Sequence, residues 1–274
     1  MRNVRRVPIV SVNGIDVYYE RWGSGPRLLF LNGSGSTLAS SEPLIRPFTE
    51  HFDVVAHDQR GLGRTSVPAG PYSMADYAAD AAELLDALGW DRCRVVGVSF
   101  GGMVAQEFAA TWPERVERLA LVCTSPGGDG GASYPLHELA ALGAEERAAQ
   151  SLRVLDNRFT PEWLAGHPND RILVETMAKR ALGEKSDEQL RGEREQLDAR
   201  RRHDVYDRLA KVDCPTLVAA GRFDGIAPVT NAQAIAGRVP RAELRTYEGG
   251  HAFFAQDANA LPEIITFLRG ETVP

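Results

Sequence analysis

The sequence predicts an α/β fold: a mostly parallel, eight-stranded sheet flanked by helices, with a helical segment inserted between two core strands. Three observations point there. Eight short runs rich in β-branched and aliphatic residues recur along the 274 residues, and helix-length segments separate most of them. One stretch, residues 126–205, breaks the alternation and holds no strand-like run. The expected organisation is therefore a core part over 1–125, a helical cap over 126–205 and a second core part over 206–274.

Taken in order, "VPIVSV" and "IDVYYERWG" flank Asn13-Gly14, a dipeptide suited to a tight hairpin. "RLLFLNG" (27–33), "FDVVAHD" (52–58) and "CRVVGV" (93–98) are continuous apolar runs, the pattern of strands buried on both faces. "SMADYAADAAELLDALG" (73–89) reads as a helix with Ser73 as its N-cap, apolar residues at helical spacing and Gly89 at its end. "GGMVAQEFAATWP" is another helix, stopped by Pro113. "RLALVCT" (118–124), "PTLVAAG" (215–221) and "AELRTYEGG" complete the strands, and "PVTNAQAIAGRVP" and "DANALPEIITFLRG" are the closing helices. The inserted segment opens on "PGGDGGASYP", a glycine-rich hinge, and is polar, Arg-rich and helical in pattern. Its basic run "ARRRH" (199–203) follows "GEREQLD" and reads as the solvated face of a mixed-charge helix. "SYPLHEL" (133–139) and Trp163 fit two readings, pocket lining or cap core.

Composition narrows the function classes. At 43% hydrophobic and 25% charged residues the chain is an ordinary globular one. A formal net charge of −6 with no basic cluster argues against a nucleic-acid partner. No stretch approaches the ~18 apolar residues of a membrane span. Cys93, Cys123 and Cys214 cannot all pair within the chain and lack zinc-site spacing, so they read as buried, reduced thiols of a cytoplasmic protein. A homo-oligomer is compatible with all of this.

The chemistry concentrates at "RVVGVSFGGMVAQEF" (94–108). There Gly97-Val98-Ser99-Phe100-Gly101 fits Gly-x-Ser-x-Gly between a strand and a helix. So sharp a turn strains the serine backbone, and glycines on either side remove Cβ atoms that would clash with it. The Phe100 amide, at the start of the helix, points where an oxyanion would develop. A serine nucleophile needs a base, and the base an orienting acid. His251 in "YEGGHAFFAQD" follows the last strand, and Asp224 in "LVAAGRFDGIAPV" follows the one before it. Asp129 is the rival acid, in a setting that looks more like a hinge. The order Ser99, Asp224, His251 is the order of this elbow class. The second oxyanion amide is assigned to Ser34 in "LNGSGST", where Gly33 and Gly35 permit close backbone approach. Asn32, Gly33 and Trp163 are candidate substrate contacts. No lysine follows this Gly-x-Gly, so it is not a phosphate loop. Asp58 and Arg60 in "DQRGLGRTS" are expected to pin that loop structurally.

On "LFLNGSG", "VVAHDQRGLGRTS", "VVGVSFGGMVAQEFAATWPERVERLALVCT", "PTLVAAGRFDGIAP" and "EGGHAFFAQD" the chain resembles the α/β-hydrolase superfamily nearly end to end. Within it the chain looks most like capped esterases, lactonases and cofactor-free haloperoxidases, and distantly like 3-oxoadipate enol-lactone hydrolases. One departure is Asn32-Gly33 where most relatives have His-Gly. The resemblance implies a serine hydrolase that cleaves a carboxylic ester or lactone of a small molecule through an acyl-enzyme, with no metal and no cofactor. On the same triad, C–C bond hydrolysis and perhydrolysis are the alternatives; a small-molecule receptor built on the fold is the non-enzyme one. Epoxide hydrolases and haloalkane dehalogenases of this fold carry aspartate at the elbow, and Ser99 speaks against both.

Overall fold

The computed structural model describes residues 8–181 and 185–272. Its strands are β1 Ile9–Val12, β2 Ile15–Gly23, β3 Arg27–Leu31, β4 Asp53–His57, β5 Cys93–Val98, β6 Val116–Val122, β7 Thr216–Gly221 and β8 Ala242–Tyr247. They form one sheet in the order β1-β2-β4-β3-β5-β6-β7-β8. The β1–β2 and β2–β4 pairings are antiparallel and the rest parallel. Asn13 and Gly14 take φ of +48° and +74°, the two positive values a two-residue hairpin turn requires.

Alternation along the central strands builds two cores. Leu28 and Phe30 of β3 point to one face of the sheet, and Leu29 and Leu31 to the other. The first face is covered by α1 (Leu38–Ile45) and α9 (Ala260–Arg269), the second by α2 (Met74–Ala87), α3 (Phe100–Thr111) and α8 (Val229–Arg238). Each such leucine or phenylalanine contributes about 1.5–3 kcal/mol relative to an exposed one, so the unbroken apolar runs are a direct consequence of burial on both sides. α2 starts as the sequence indicates: the Ser73 side chain accepts from the Asp76 amide while the Asp76 carboxylate accepts from the Ser73 amide. α1 was not anticipated. Pro43 interrupts its pattern, and its signal is the reciprocal cap between Thr37 and Ser40.

After β3 the chain adds β4 on one side, then crosses to add β5 on the other. The carboxyl end of β3 is thus the switch point, where the sheet opens a crevice between diverging loops. Asn32–Ser36 and Ser99 both lie there.

Between β6 and β7 the described residues contain only helices and turns: α4 Ala144–Leu155, α5 Pro161–Gly166, α6 Pro168–Ala181 and α7 Asp187–Arg201, with short 3-10 turns. Two expectations for this stretch need correction. "PGGDGGASYP" is a clamp rather than a hinge: Gly127 pairs with Asp204, the Val205 amide donates to Pro126 O, and a Cβ on Gly127 would sit 1.9 Å from His203 O. Nor is "ARRRH" a solvated face. Gly192, Gln196, Ala199 and Arg200 recur at helical spacing and are buried, because Gly192 lets α7 press its backbone onto Gly61, where a Cβ would sit 2.0 Å from Gly61 O. Only Arg201 and Arg202 remain solvated, both paired with Asp198. Cys93, Cys123 and Cys214 are buried and unpaired. Among the described residues no helix is long and apolar enough to cross a membrane.

Candidate active site

β5 ends at Val98 and α3 begins at Phe100, so Ser99 must turn the chain alone. It does so at φ +55°, ψ −115°, in a region that L-residues rarely enter. Hydrogen bonds hold this strain: the Ser99 amide donates to Val122 O at 2.8 Å, and Thr124 Oγ1 donates to Ser99 O at 2.8 Å. The flanking glycines are needed, though not because of the serine itself. A Cβ on Gly97 would lie 2.3 Å from Gly101 O, and one on Gly101 would lie 2.1 Å from Leu31 O. The elbow is packed directly against the end of β3.

His251 is presented by Gly249 and Gly250 after β8, and its amide donates to Leu155 O of α4 at 2.6 Å. Its Nε2 lies 2.9 Å from Ser99 Oγ and its Nδ1 lies 2.8 Å from Asp224 Oδ2. Asp224 Oδ1 accepts from the Ile226 and Ala227 amides, each at 2.8 Å, which fixes the carboxylate in the turn after β7. With a carboxylate at Nδ1, the imidazole proton resides there and Nε2 is left to accept from the serine hydroxyl. Burial works against a charged His251, but Asp224 and the neighbouring Cys123 outweigh it, so its pKa is raised above the ordinary value. Asp129 is exposed in the turn Gly128–Gly130, away from this group.

The loop after β3 packs on the elbow: a Cβ on Gly33 would lie 3.6 Å from Ser99 Cβ. Its neighbours lock it. Gln59 Nε2 donates to Asn32 O at 2.7 Å, and the Gly35 amide donates to Gln196 Oε1 of α7 at 2.7 Å. The Asn32 side chain is buried, and neither of its polar atoms has a partner among the described residues. Asp58 accepts from the Leu38 and Arg64 amides and Arg60 grips Asp80 with two hydrogen bonds, so both pin loops. Trp163 is held within the inserted segment, stacked on His167 at 3.8 Å and donating to Asp170. Two cavities lie along α7. One of about 440 Å³ runs from Ser34 and Thr37 to Gln189 and Glu193. The other, about 110 Å³, is lined by Met103 of α3, Arg200, His203 and, from "SYPLHEL", Ser133, Pro135 and His137.

Sequence reasoning missed Thr124, Gln59, Gln196 and Arg200. Burial pushes the Arg200 guanidinium down to about 10, against the pull of Asp224.

Known proteins resemble this arrangement over nearly the whole chain. The poly(3-hydroxyalkanoate) depolymerase of Ectopseudomonas oleovorans is 32% identical over 247 residues, covering 89% of this chain and 84% of that protein. The 3-oxoadipate enol-lactonase 2 of Acinetobacter baylyi is 28% identical, covering 88% of each. The crystal structure of a hydrolase from Pseudomonas aeruginosa PA01 superposes with a TM-score of 0.79 at 30% identity, covering 98% of this chain and all of that one. A sequence profile described as alpha/beta hydrolase fold matches residues 26–258. That span runs from the start of the parallel sheet to beyond His251, and the chain is an enzyme of the alpha/beta hydrolase fold family.

Proposed function

We propose that the protein is a serine hydrolase that cleaves a carboxylic ester or lactone of a small molecule. The observation that carries this reading is the hydrogen-bonded run from Ser99 Oγ through His251 to Asp224, at 2.9 and 2.8 Å. Ser99 Oγ attacks the carbonyl carbon as its proton passes to His251 Nε2, and Asp224 stabilises the resulting imidazolium. The amides of Phe100 and Ser34 receive the oxyanion, each worth roughly 10²–10³ in rate. The tetrahedral intermediate collapses, His251 gives its proton to the leaving alkoxide, and an acyl-Ser99 ester remains. Water then attacks that ester with His251 as base, releasing the acid and restoring Ser99. The names of two relatives, a depolymerase of a poly(3-hydroxyalkanoate) and an enol-lactonase, support this bond class. Residues 126–205 act as a cap over the core formed by 1–125 and 206–274, with α7 as the wall of the site. Three buried, unpaired thiols support a reducing, cytoplasmic setting.

The test is hydrolysis of a short p-nitrophenyl ester and a panel of small lactones by wild type and Ser99→Ala. A loss of at least about 10⁴-fold on the substitution is expected. Equal turnover by both proteins refutes the assignment.

A further inference from the structure

Arg200 is a buried charge without a matched partner. Its side chain is almost wholly enclosed, at 4% exposure, yet Nη1 alone is engaged, donating to Tyr134 O at 2.7 Å. Nε and Nη2 have no hydrogen-bond partner among the described residues. Those two atoms form one edge of the guanidinium, with two parallel N–H bonds spaced to meet the two oxygens of a carboxylate. The protein itself shows that edge in use. Arg60 grips Asp80 through Nε and Nη2 at 2.7 and 2.6 Å, and Arg158 grips Asp156 through the same atoms at 2.9 and 2.7 Å. The carboxylate that acts on Arg200, Asp224, is already committed to His251, Ile226 and Ala227.

The surroundings suit an anion. Arg200 lines the cavity of about 110 Å³, and no aspartate or glutamate is among its lining residues. His203, also on that wall, is buried, and burial pushes its pKa down to about 3, so it stands there neutral. Met103, which closes the same cavity, is four residues along α3 from Ser99, about 6 Å of helix. One turn before Arg200 on α7, Gln196 holds the loop that carries Ser34.

We propose that Arg200 binds a carboxylate carried by the substrate a few carbons from the scissile carbonyl, so that the preferred ester or lactone is an anion. This rests on the hydrolase reading above and narrows it to acidic substrates.

The experiment compares monoethyl esters of straight-chain dicarboxylic acids with ethyl esters of the equally long monocarboxylic acids, in wild type, Arg200→Gln and Arg200→Lys. The expected result is a wild-type kcat/KM ratio favouring the half-ester. That ratio falls about 10–100-fold in Arg200→Gln, the scale of one charge-assisted pair. Arg200→Lys, which keeps the charge and loses the paired edge, recovers part of it. Ratios near one in wild type and both variants overturn the proposal. If the variants do not fold, the wild type alone decides: inhibition by free dicarboxylates but not by their monoamides supports the site, and equal inhibition overturns it. Should the wild type hydrolyse no ester at all, the hydrolase reading fails separately. Calorimetric titration of Ser99→Ala and Ser99→Ala/Arg200→Gln with the half-ester then decides the Arg200 site: binding lost with the arginine supports it, and indifference overturns it.

Discussion

A single methyl group at Gly101 should damage both stability and turnover. Its carbon would lie 2.1 Å from Leu31 O, 2.4 Å from Leu31 C and 2.6 Å from Asn32 O. Ordinary contact begins near 3.4 Å, so the end of β3 and the start of α3 must part by about 1.3 Å. Every atom on both sides is backbone, and no rotamer relieves the overlap. Overpacking of this kind costs about 1–3 kcal/mol, and without a side chain to yield the upper value applies. At about 2–4 °C per kcal/mol for a chain of this size, Tm should drop by roughly 6–12 °C. The segment displaced leads straight into Asn32–Gly35, and a shift of about 1 Å at such a site costs on the order of 10² in rate. Thermal melting and ester kinetics on Gly101→Ala measure the two effects together. Gly143→Ala, where a Cβ meets nothing within 4 Å, is the control. A Gly101→Ala protein that melts within a degree of wild type and turns over within twofold of it would refute the packing argument.

Asp224→Asn should change both the height and the position of the pH–rate profile. Asp224 raises the pKa of His251, and the acylation proposed above needs the neutral imidazole, so wild-type kcat/KM should rise with pH through a midpoint above 6.5. By the same sign, the Asp224–His251 pair stabilises the fold below pH 6.5, and that contribution is lost as pH climbs through the raised value. With asparagine the ring keeps the effects of burial and Cys123 but loses the Asp224 charge, so the midpoint should fall while peak activity drops about 10⁴-fold; an unmoved midpoint would show that Asp224 is not the coupled charge. Gln196→Ala removes the acceptor from the Gly35 amide and should lower kcat about fivefold with little change in KM, because the loop carrying Ser34 loses a tether worth about 1 kcal/mol. A change confined to KM would assign Gln196 to substrate contact instead.

Much of this molecule is legible from its letters because its core follows two periods. Runs such as "RLLFL" declare a strand buried on both faces, and Ser73 with Asp76 declares the start of a helix. The elbow is legible too, since few uses other than a close backbone approach demand glycine at both 97 and 101. Arg200 and Gln196 are hidden for the opposite reason. They sit in "GEREQLDARR", whose polarity matches a solvated helix, and their burial follows from Gly192 docking on Gly61, 131 positions earlier in the chain. Nothing local announces that contact. Trp163 fits pocket lining and packing within the inserted segment equally well by its letters, and a stacked histidine on one face and an aspartate acceptor at its indole nitrogen are contacts that no local pattern announces.

The pairing of Gly127 with Asp204 brings the two ends of a long excursion side by side. A chain that departs and returns at one point can change its length and content without altering the register of β6 on β7. The content of the excursion is therefore free to drift while Ser99, Asp224 and His251 stay where they are, with one restriction. The excursion also supplies Leu155 O to the His251 amide and Gln196 Oε1 to the Gly35 amide. A graft from another enzyme must bring two acceptors to those spots, or it will inherit a sound scaffold whose His251 and Asn32–Ser36 loop are no longer held in register.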